Sequence, residues 1–233
     1  MTVRRLSRRV FLILYPGLST PIDSIVALVA GEDSAVVVDS GAGLESSIAA
    51  LTVGIAEAYS MLGTRLPVEL VVNTHGHVTN AGGDYWFHEE LGSIIAAREP
   101  DSRWIETGDP VKTAASDFGV VFRGVPVGLV IREDPFTILS SREVRVEALH
   151  TPGHTPGSQS LLIEDGGRRI ILVGDALGRL SKRWDSCERD WYRSLERIRE
   201  ASPHILCTSA ICYEGEAVGE FLDKVEEAGP QWV

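Results

Sequence analysis

The chain has 233 residues, a length that fits one α/β domain with a sizeable core, and no feature requires a second domain. Its formal net charge of −11 argues against a general nucleic-acid-binding protein, whose surface would be basic. No apolar run reaches transmembrane length, because Asp23, Glu32 and Asp33 interrupt the only candidate. We therefore expect a single cytoplasmic domain over residues 1–233 with neither nucleic acid nor a membrane as partner. Nothing in the sequence indicates an oligomeric state.

The cysteines and the rare residue types describe the setting of the protein. Cys187, Cys207 and Cys212 are too few, and odd in number, for a disulfide framework. Cys207 and Cys212 are close enough in sequence to pair locally, but we expect buried free thiols. The chain has only two Asn, two Gln and two Met, and this scarcity of thermolabile side chains indicates a thermophile source. Arginine outnumbers lysine 19 to 3, a bias that genome composition also produces.

The N-terminal segment resembles an export signal but is too short to be one. Ser7-Arg-Arg-Val-Phe-Leu12 has the twin-arginine pattern. The apolar run at residues 10–15 then stops at Pro16, short of the 7–15 residues expected of a signal core. We expect this run to be retained as the first strand of the sheet.

The first third of the chain predicts strands followed by one long helix. A Gly-Ala-Gly segment leads into the helix and Gly63 ends it, while the turn at residues 31–33 separates two strands. The predicted elements are strands at residues 10–15, 22–30 and 35–39, a helix at 44–62 and a buried strand at 68–73.

The remaining residues predict more strands and flanking helices. Gly82-Gly83 opens a short helix that runs to Leu91, and a helix near residues 111–118 lies within a less regular region. Asp165-Gly-Gly167 is a hairpin turn. The other predicted elements are strands at residues 93–97, 136–139, 143–149, 158–164, 169–173 and 205–208, and helices at 188–201 and 215–227.

Three histidines and an aspartate stand where apolar runs stop. His75 and His77 follow the strand at 68–73, and in an extended chain residues two apart point to the same side. His154 lies in a turn stiffened by two Pro-Gly pairs, and Asp175 follows the last residues of another strand. Imidazoles and a carboxylate at successive strand ends predict a divalent metal site.

The motifs around these residues also resemble those of a family. The metallo-β-lactamase-fold hydrolases are marked by His-x-His-x-Asp-His-x-Gly-Gly, a Thr-Pro-Gly-His-Thr-Pro-Gly-Ser turn and a Gly-Asp. This chain has, in the same order, Val38-Asp-Ser-Gly41, Asn73-Thr-His-Gly-His77 with Gly82-Gly83, the turn at residues 151–158, and Gly174-Asp175. The resemblance covers nearly the whole chain. It implies an α/β fold, a four-layer αβ/βα sandwich, and a role for Asp39 as an acceptor that orients a ligand imidazole.

The departures from this family pattern all fall on its second metal site. Thr79 and Asn80 stand where the family has Asp-His, and Ala210 aligns with a further family histidine. Two dications roughly 3.5–4 Å apart need carboxylate or hydroxide between them. With Asp175 as the only carboxylate, their mutual repulsion would be poorly offset. We expect one metal ion per chain.

Other polar residues have two readings each. The loop after Asp175 either attracts an anionic substrate to the metal or is a solvated basic loop. Tyr213 either donates a hydrogen bond to a substrate oxygen or packs on the sheet. The residues of this loop are Arg179, Lys182, Arg183 and Trp184. Asp84 is either a charge on a helix face or a residue behind the ligands. We expect His150 to be a structural hydrogen-bonding residue, and His88 and His204 to lie at the surface.

The function that follows is metal-dependent hydrolysis. We expect His75, His77 and His154 to hold Zn²⁺, with Asp175 as fourth ligand or as the group that accepts a proton from bound water. The substrate is a small molecule, an ester, lactone, thioester or phosphodiester. Two alternatives remain open. One is a mononuclear non-haem Fe²⁺ dioxygenase acting on a thiol or persulfide, as in persulfide dioxygenases of the family. The other is a non-catalytic descendant that only binds the metal.

Overall fold

The computed structural model describes residues 3–233, and within them the strands form two sheets. The strands of the first sheet lie side by side in chain order: β1 (Arg4–Arg5), β2 (Val10–Leu14), β3 (Val26–Ala30), β4 (Ala35–Val38), β5 (Val68–Val72), β6 (Ile94–Arg98) and β7 (Leu129–Ile131). β1 to β4 are antiparallel neighbours, whereas β4 to β7 run parallel.

The second sheet has the spatial order β13-β12-β11-β10-β9-β8. Its strands are β8 (Phe136–Ser140), β9 (Val144–His150), β10 (Gln159–Asp165), β11 (Arg168–Gly174), β12 (Ile205–Thr208) and β13 (Cys212–Glu214). All neighbouring strands of this sheet are antiparallel except β11 and β12, which run parallel.

Helices cover the outer faces of the two sheets. They are α1 (Glu45–Leu62), α2 (Val78–Ala81), α3 (Asp84–Leu91), α4 (Asp101–Thr107), α5 (Ala115–Phe118), α6 (Glu188–Glu200) and α7 (Glu216–Ala228), with a 3₁₀ turn at Lys182–Trp184. Among residues 3–233, no helix combines the length and the apolar character needed to cross a membrane.

The packing produces four layers, as the motifs predicted. The inner faces of both sheets meet in one core that includes Leu12 of β2 and Leu161 of β10. α1 and α3 cover the first sheet with Leu51 and Phe87, and α6 covers the second with Trp191. Because β2, β3 and β4 are covered on both faces, all their residues are buried instead of alternating with exposed ones. The αβ/βα sandwich expected from the sequence is confirmed.

Some elements differ from the sequence prediction. The strand expected at 22–30 begins only at Val26, because Asp23 sits in a turn where its carboxylate accepts hydrogen bonds from the Ala42 N–H and the Ser47 hydroxyl. The helix expected at 111–118 shrinks to Ala115–Phe118. The sequence pattern did not predict β1, β7, β13, α2 or α4, which have at most seven residues each and are too short to show a periodic pattern.

The expectation of free thiols at Cys207 and Cys212 was wrong. These residues face each other in the antiparallel register of β12 and β13, with their Cα atoms 4.0 Å apart, and their sulfurs form a disulfide. The bond closes the hairpin at residues 208–211. Cys187 remains a free thiol.

A buried carboxylate joins the ends of two strands to a helix. Asp84, the first residue of α3, is fully buried; it accepts hydrogen bonds from the Ser40 hydroxyl after β4 at 2.7 Å and from the Asn73 amide after β5 at 2.6 Å. Burial raises its pKa to about 8. Asp84 is therefore no surface charge of a helix, and it fixes the segments that follow β4 and β5.

Helix α1 packs so closely on β2 that Gly54 has no room for a side chain, since a Cβ there would lie 2.2 Å from the Ile13 carbonyl oxygen. Gly219 on the exposed face of α7 has nothing within 4 Å. We expect Gly54→Ala to lower the free energy of unfolding by about 1–3 kcal/mol through overpacking. Gly219→Ala should raise it by about 0.5–1 kcal/mol through helix propensity. Urea unfolding of both variants tests this, and equal gains in stability would contradict the close packing of α1.

Asp84 should make the stability of the protein depend on pH. Its pKa is about 8 in the folded chain against 3.8 for the free side chain, so between these values the folded state binds more protons than the unfolded state. The stability that this carboxyl contributes is complete below pH 3.8 and is lost as the pH rises through 8. Asp84→Asn keeps an oxygen acceptor but does not titrate, so the fall in melting temperature between pH 4 and 8 should be smaller in this variant. Asp33→Asn, in the exposed turn after β3, removes the same carboxyl group from the surface and serves as the control. If the melting temperature of Asp84→Asn changes with pH as steeply as that of the wild type, the prediction is contradicted.

Candidate metal centre

The carboxyl ends of the central strands bring four expected ligands together. His75 and His77 follow β5, His154 lies in the loop between β9 and β10, and Asp175 follows β11. One ligand atom of each residue lies within 4.8 Å of the others. His77 Nδ1 is 3.0 Å from His154 Nε2, and Asp175 Oδ2 is 3.8 Å from Nε2 of both His75 and His154. The three rings stand nearly edge to face. This is a compact cluster of three imidazoles and one carboxylate.

Burial leaves the imidazoles of His75 and His77 neutral and short of partners. The three histidines are at most 4% exposed, and Nε2 of both His75 and His77 is buried with no hydrogen-bond partner. Burial, together with the nearby His154, lowers the pKa of His75 to about 3, and burial holds the pKa of His77 well below its usual value. Neutral imidazoles with free lone pairs are the form that binds a cation. The residues present therefore fit a divalent metal ion.

Asp175 supplies the negative charge. Burial acts to raise its pKa, but His154, His75 and a hydrogen bond from Ser209 together hold the pKa below its usual value. About a third of its side chain, 34%, is exposed to the adjoining cavity. The carboxylate is therefore ionised at neutral pH and accessible to a small molecule.

The far sides of two ligand rings are fixed by neighbouring oxygens. His154 Nδ1 lies 2.5 Å from the Arg179 carbonyl oxygen, so an N–H there leaves the lone pair on the Nε2 that faces the cluster. His75 Nδ1 lies 3.1 Å from the Thr74 hydroxyl, which is 2.9 Å from Asp39 Oδ2. Asp39 thus reaches the His75 ring through Thr74 and does not touch it directly.

Asp39 is the buried centre of this support. It is 2% exposed, its backbone has a φ of 62°, and its carboxylate also accepts a hydrogen bond from the Thr74 N–H at 2.7 Å. Burial raises its pKa to about 7, although the hydrogen bonds from Thr74 and Asn80 act in the opposite direction. The carboxylate therefore depends on the loop after β5 for its partners.

Thr79 and Asn80, which stand where the family motif has Asp-His, hydrogen-bond within the protein. Asn80 is fully buried; its amide nitrogen donates to Asp39 at 2.8 Å and to the Ser209 hydroxyl at 3.1 Å, and its oxygen accepts from the Thr79 hydroxyl at 2.8 Å. Ala210 is exposed and does not line the cavity that contains His77, His154 and Asp175. Ser209 takes this place and also hydrogen-bonds Asp175. The sequence analysis missed Ser209, and its position beside Ala210 was the only available signal.

A cavity of about 480 Å³ opens over the cluster. Its wall includes the ligands His77, His154 and Asp175, the polar residues Thr79 and Arg179, and the apolar side chains of Ala114, Phe118, Trp184 and Val233. The Trp184 ring packs against His77 and His154, with centroids 4.6 and 5.2 Å apart. A larger cleft of about 820 Å³, beside the turn between β10 and β11, contains none of the four ligands.

Two ion pairs close one side of this cavity. Arg183 Nη1 lies 2.5 Å from Asp117 Oδ1, and Lys112 Nζ lies 2.6 Å from Asp185 Oδ2. Both pairs join the segment around Trp184 to the segment that carries Phe118. The charge of Arg183 is therefore already paired and does not face the cavity.

The remaining candidates lie outside the cavity. Lys182 is exposed and does not line it, and Tyr213 stacks on Phe221 with ring centroids 4.2 Å apart. His150 Nε2 lies 2.9 Å from the Pro156 carbonyl oxygen, which fits the structural role expected of it. His88 and His204 likewise contact backbone groups, far from the four ligands. Of the expected substrate contacts, only Arg179 and Trp184 reach the cavity.

Comparison with known proteins agrees with this geometry. Residues 20–210 match the model of the metallo-beta-lactamase superfamily. The chain is 26% identical over 123 residues to a probable metallo-hydrolase of Methanocaldococcus jannaschii, covering 51% of this chain and 54% of that protein. It is 28% identical over 179 residues to the acyl-coenzyme A thioesterase MBLAC2 of Homo sapiens, covering 70% of this chain and 60% of that protein. The matched segments thus span little more than half of these relatives.

Solved structures show the same fold. A subclass B3 metallo-beta-lactamase of Bradyrhizobium japonicum superposes with a TM-score of 0.74 at 19% identity, covering 98% of this chain and 92% of that one. A metallo-beta-lactamase from Elizabethkingia meningoseptica superposes with a TM-score of 0.75 at 15% identity, covering 98% and 90%. The family match over most of the chain, the fold and the clustered ligands lead to one conclusion: this chain belongs to the metallo-beta-lactamase superfamily.

Proposed function

We propose that this protein is a zinc-dependent hydrolase that uses a single metal ion per chain. The observation that carries the proposal is the pair of buried imidazole nitrogens without a partner, on His75 and His77, beside His154 and the ionised Asp175. Three imidazoles and a carboxylate match the ligand set of zinc sites. The single ion is supported by Asn80, because its amide nitrogen donates to Asp39 and Ser209 and its neutral oxygen already accepts from Thr79, so this residue offers a second cation no charge.

The residues of the cavity have distinct tasks in hydrolysis. His75, His77 and His154 would hold Zn²⁺, which would supply a Lewis acid and lower the pKa of a bound water to about 7. Asp175 accepts a proton at its exposed carboxylate oxygen, and the Ser209 hydroxyl orients that group. The Thr79 hydroxyl donates to Asn80 and cannot act as a base. Trp184 covers the histidine rings and excludes solvent.

The cavity wall favours one substrate class within the ester, lactone, thioester and phosphodiester range. Phe118, Trp184 and Val233 offer an apolar surface that fits an acyl chain, and among residues 3–233 the wall has one cationic residue, Arg179, beside the acidic Asp117. A phosphodiester would require more positive charge than Arg179 provides. We therefore propose an acyl ester or thioester, in line with the name of the human thioesterase relative.

The cellular setting is also a proposal. We infer a cytoplasmic protein from a heat-adapted organism that acts on a small molecule. The disulfide between Cys207 and Cys212 is compatible with this setting, because intracellular proteins of hyperthermophiles are rich in disulfides whereas cytosolic proteins of mesophiles rarely have them. The scarcity of Asn, Gln and Met supports the same source.

The metal stoichiometry follows from the hydrogen bonds of Asn80. We expect one tightly bound ion per chain, by elemental analysis of protein purified without added metal, with zinc rather than Fe²⁺ as its identity. Thr79→Asp combined with Asn80→His should raise uptake above one ion, because it replaces two neutral groups by a carboxylate and an imidazole. Val121→His is the control, since this residue is 93% exposed and does not line the cavity. Two tightly bound ions in the wild type would contradict the single-ion proposal.

Hydrolysis should depend on the length of the acyl chain. In a series of straight-chain thioesters and p-nitrophenyl esters, kcat/KM should rise by up to about fourfold per methylene until the apolar cavity is filled. Phe118→Ala should remove much of this gain, whereas Val121→Ala, at a residue that is 93% exposed and outside the cavity, should not.

The control for metal dependence is His154→Ala. This variant should lose more than roughly 100-fold in kcat/KM, above the effect typical of changes behind the ligands. The core does not depend on the ion, so the variant should remain folded. Two results together would favour a purely structural ion instead. The wild type would hold its ion yet hydrolyse none of the esters, lactones, thioesters or phosphodiesters, and His154→Ala would melt at a much lower temperature.

A further inference from the structure

Asp101 is a buried carboxylate that contacts both loops bearing the histidine ligands. It is the first residue of α4, just after β6, and none of its surface is exposed. Its Oδ2 accepts hydrogen bonds from the Gly76 N–H at 2.9 Å and from the Thr155 hydroxyl at 2.6 Å. Its Oδ1 accepts one from the Gly157 N–H at 2.9 Å. The sequence analysis did not single out this residue.

Two of the three donors adjoin the ligands in sequence, and the third, Gly157, lies in the same turn as His154. Gly76 lies between His75 and His77, and Thr155 follows His154. Two of these donors are backbone groups, so the carboxylate fixes the main chain of both loops and not only their side chains. Asp101 therefore sets the distance between the segment of His75 and His77 and the turn of His154.

The backbone at both glycines packs closely against Asp101. A Cβ added at Gly157 would lie 2.5 Å from Asp101 Oδ1, and one added at Gly76 would lie 3.3 Å from Asp101 Cβ. The loops thus pack against Asp101 with no space for a side chain at Gly157 and with a tight fit at Gly76. This close fit explains why glycine stands at these two positions of the histidine motifs.

The partners of Asp101 make it a strong constraint. Within residues 3–233, no Lys, Arg or His forms a salt bridge with it, so its burial is offset only by the three donors of the loops. Burial raises its pKa to about 6, while the hydrogen bonds act to lower it. Moving either loop away would leave a buried carboxylate short of donors, which costs more than a neutral hydrogen bond.

We propose that Asp101 is a positioning residue that preorganises the two histidine loops and thereby sets the affinity and the geometry of metal binding. It does not touch the metal ligands' donor atoms and acts only through Gly76, Thr155 and Gly157. The inference rests on the metal site of the proposed function but not on its hydrolytic reaction.

The test compares metal binding by the wild type and Asp101→Asn. The variant keeps the size of the side chain but turns one acceptor into an N–H donor that opposes a donor of the loops. We expect a loss of roughly 10–100-fold in Zn²⁺ affinity, measured by competition with a chelator, as for other changes behind metal ligands. With Co²⁺ bound at saturation, the visible absorption bands should also shift, because the histidines are held in a different geometry.

The matched control is Asp165→Asn. Asp165 is likewise a buried carboxylate, 4% exposed, and accepts a hydrogen bond from the Arg9 N–H at 2.8 Å, but it lies at the far end of β10. We expect this variant to keep the Zn²⁺ affinity and the Co²⁺ spectrum of the wild type even where it melts at a lower temperature. A merely structural role of Asp101 would make the two variants alike in both metal readouts and would overturn the proposal.

Thr155→Val keeps the test decisive if Asp101→Asn does not fold. This substitution removes one of the three donors and leaves the carboxylate in place, so we expect a smaller loss of Zn²⁺ affinity, about 3–10-fold. Wild-type affinity and an unchanged Co²⁺ spectrum in the folded variant would contradict the proposal. A wild type that binds neither Zn²⁺ nor Co²⁺ would instead contradict the proposed function, so the two failures are distinguishable.

Discussion

Three imidazoles are forced together at the ends of buried strands, and the inner nitrogens of two of them have no partner in the protein. Leaving a polar group buried and unpaired costs about 1–3 kcal/mol. The cost cannot be relieved by swinging the rings outward, because β5 is held in the sheet by β4 and β6 and the residues after it are buried. A cation offsets this cost, since it gives every free lone pair a partner. The rest of the centre can be understood as the means by which the fold keeps these rings in place.

Buried carboxylates provide most of that restraint. Asp39 holds Thr74, Asp84 holds Ser40 and Asn73, and Asp101 holds the loops on both sides of the cluster. Each of them receives its hydrogen bonds from residues next to a strand end, so the burial of these carboxyl groups is compensated only while the strand ends keep their arrangement. Because Asp39, Asp84 and Asp101 are buried and need these donors, they favour the one arrangement of the loops in which all the hydrogen bonds are made.

The sequence predicted the parts of this arrangement that follow from local pattern. The strand ends that carry His75 and Asp175, the sandwich and the family are confirmed, because they depend on apolar runs and short motifs. The support by Asp101 was not predictable, since Gly76 and Gly157 meet it across 25 and 56 residues of chain. The disulfide was missed for a similar reason: the register of β12 and β13 decides whether Cys207 and Cys212 face each other, and β13 is too short to be recognised.

Asparagine at position 80, where the family motif has histidine, has two effects. An imidazole serves a cation by presenting a lone pair, whereas the Asn80 amide presents two N–H donors, and these are used by Asp39 and Ser209. The same substitution therefore removes a ligand and supplies a partner to the buried Asp39. Ser209 in turn hydrogen-bonds Asp175. In the proposed single-ion centre, one dication then faces one ionised carboxylate, that of Asp175. The neutral side chains of Thr79 and Asn80 stand where a second cation would need negative charge.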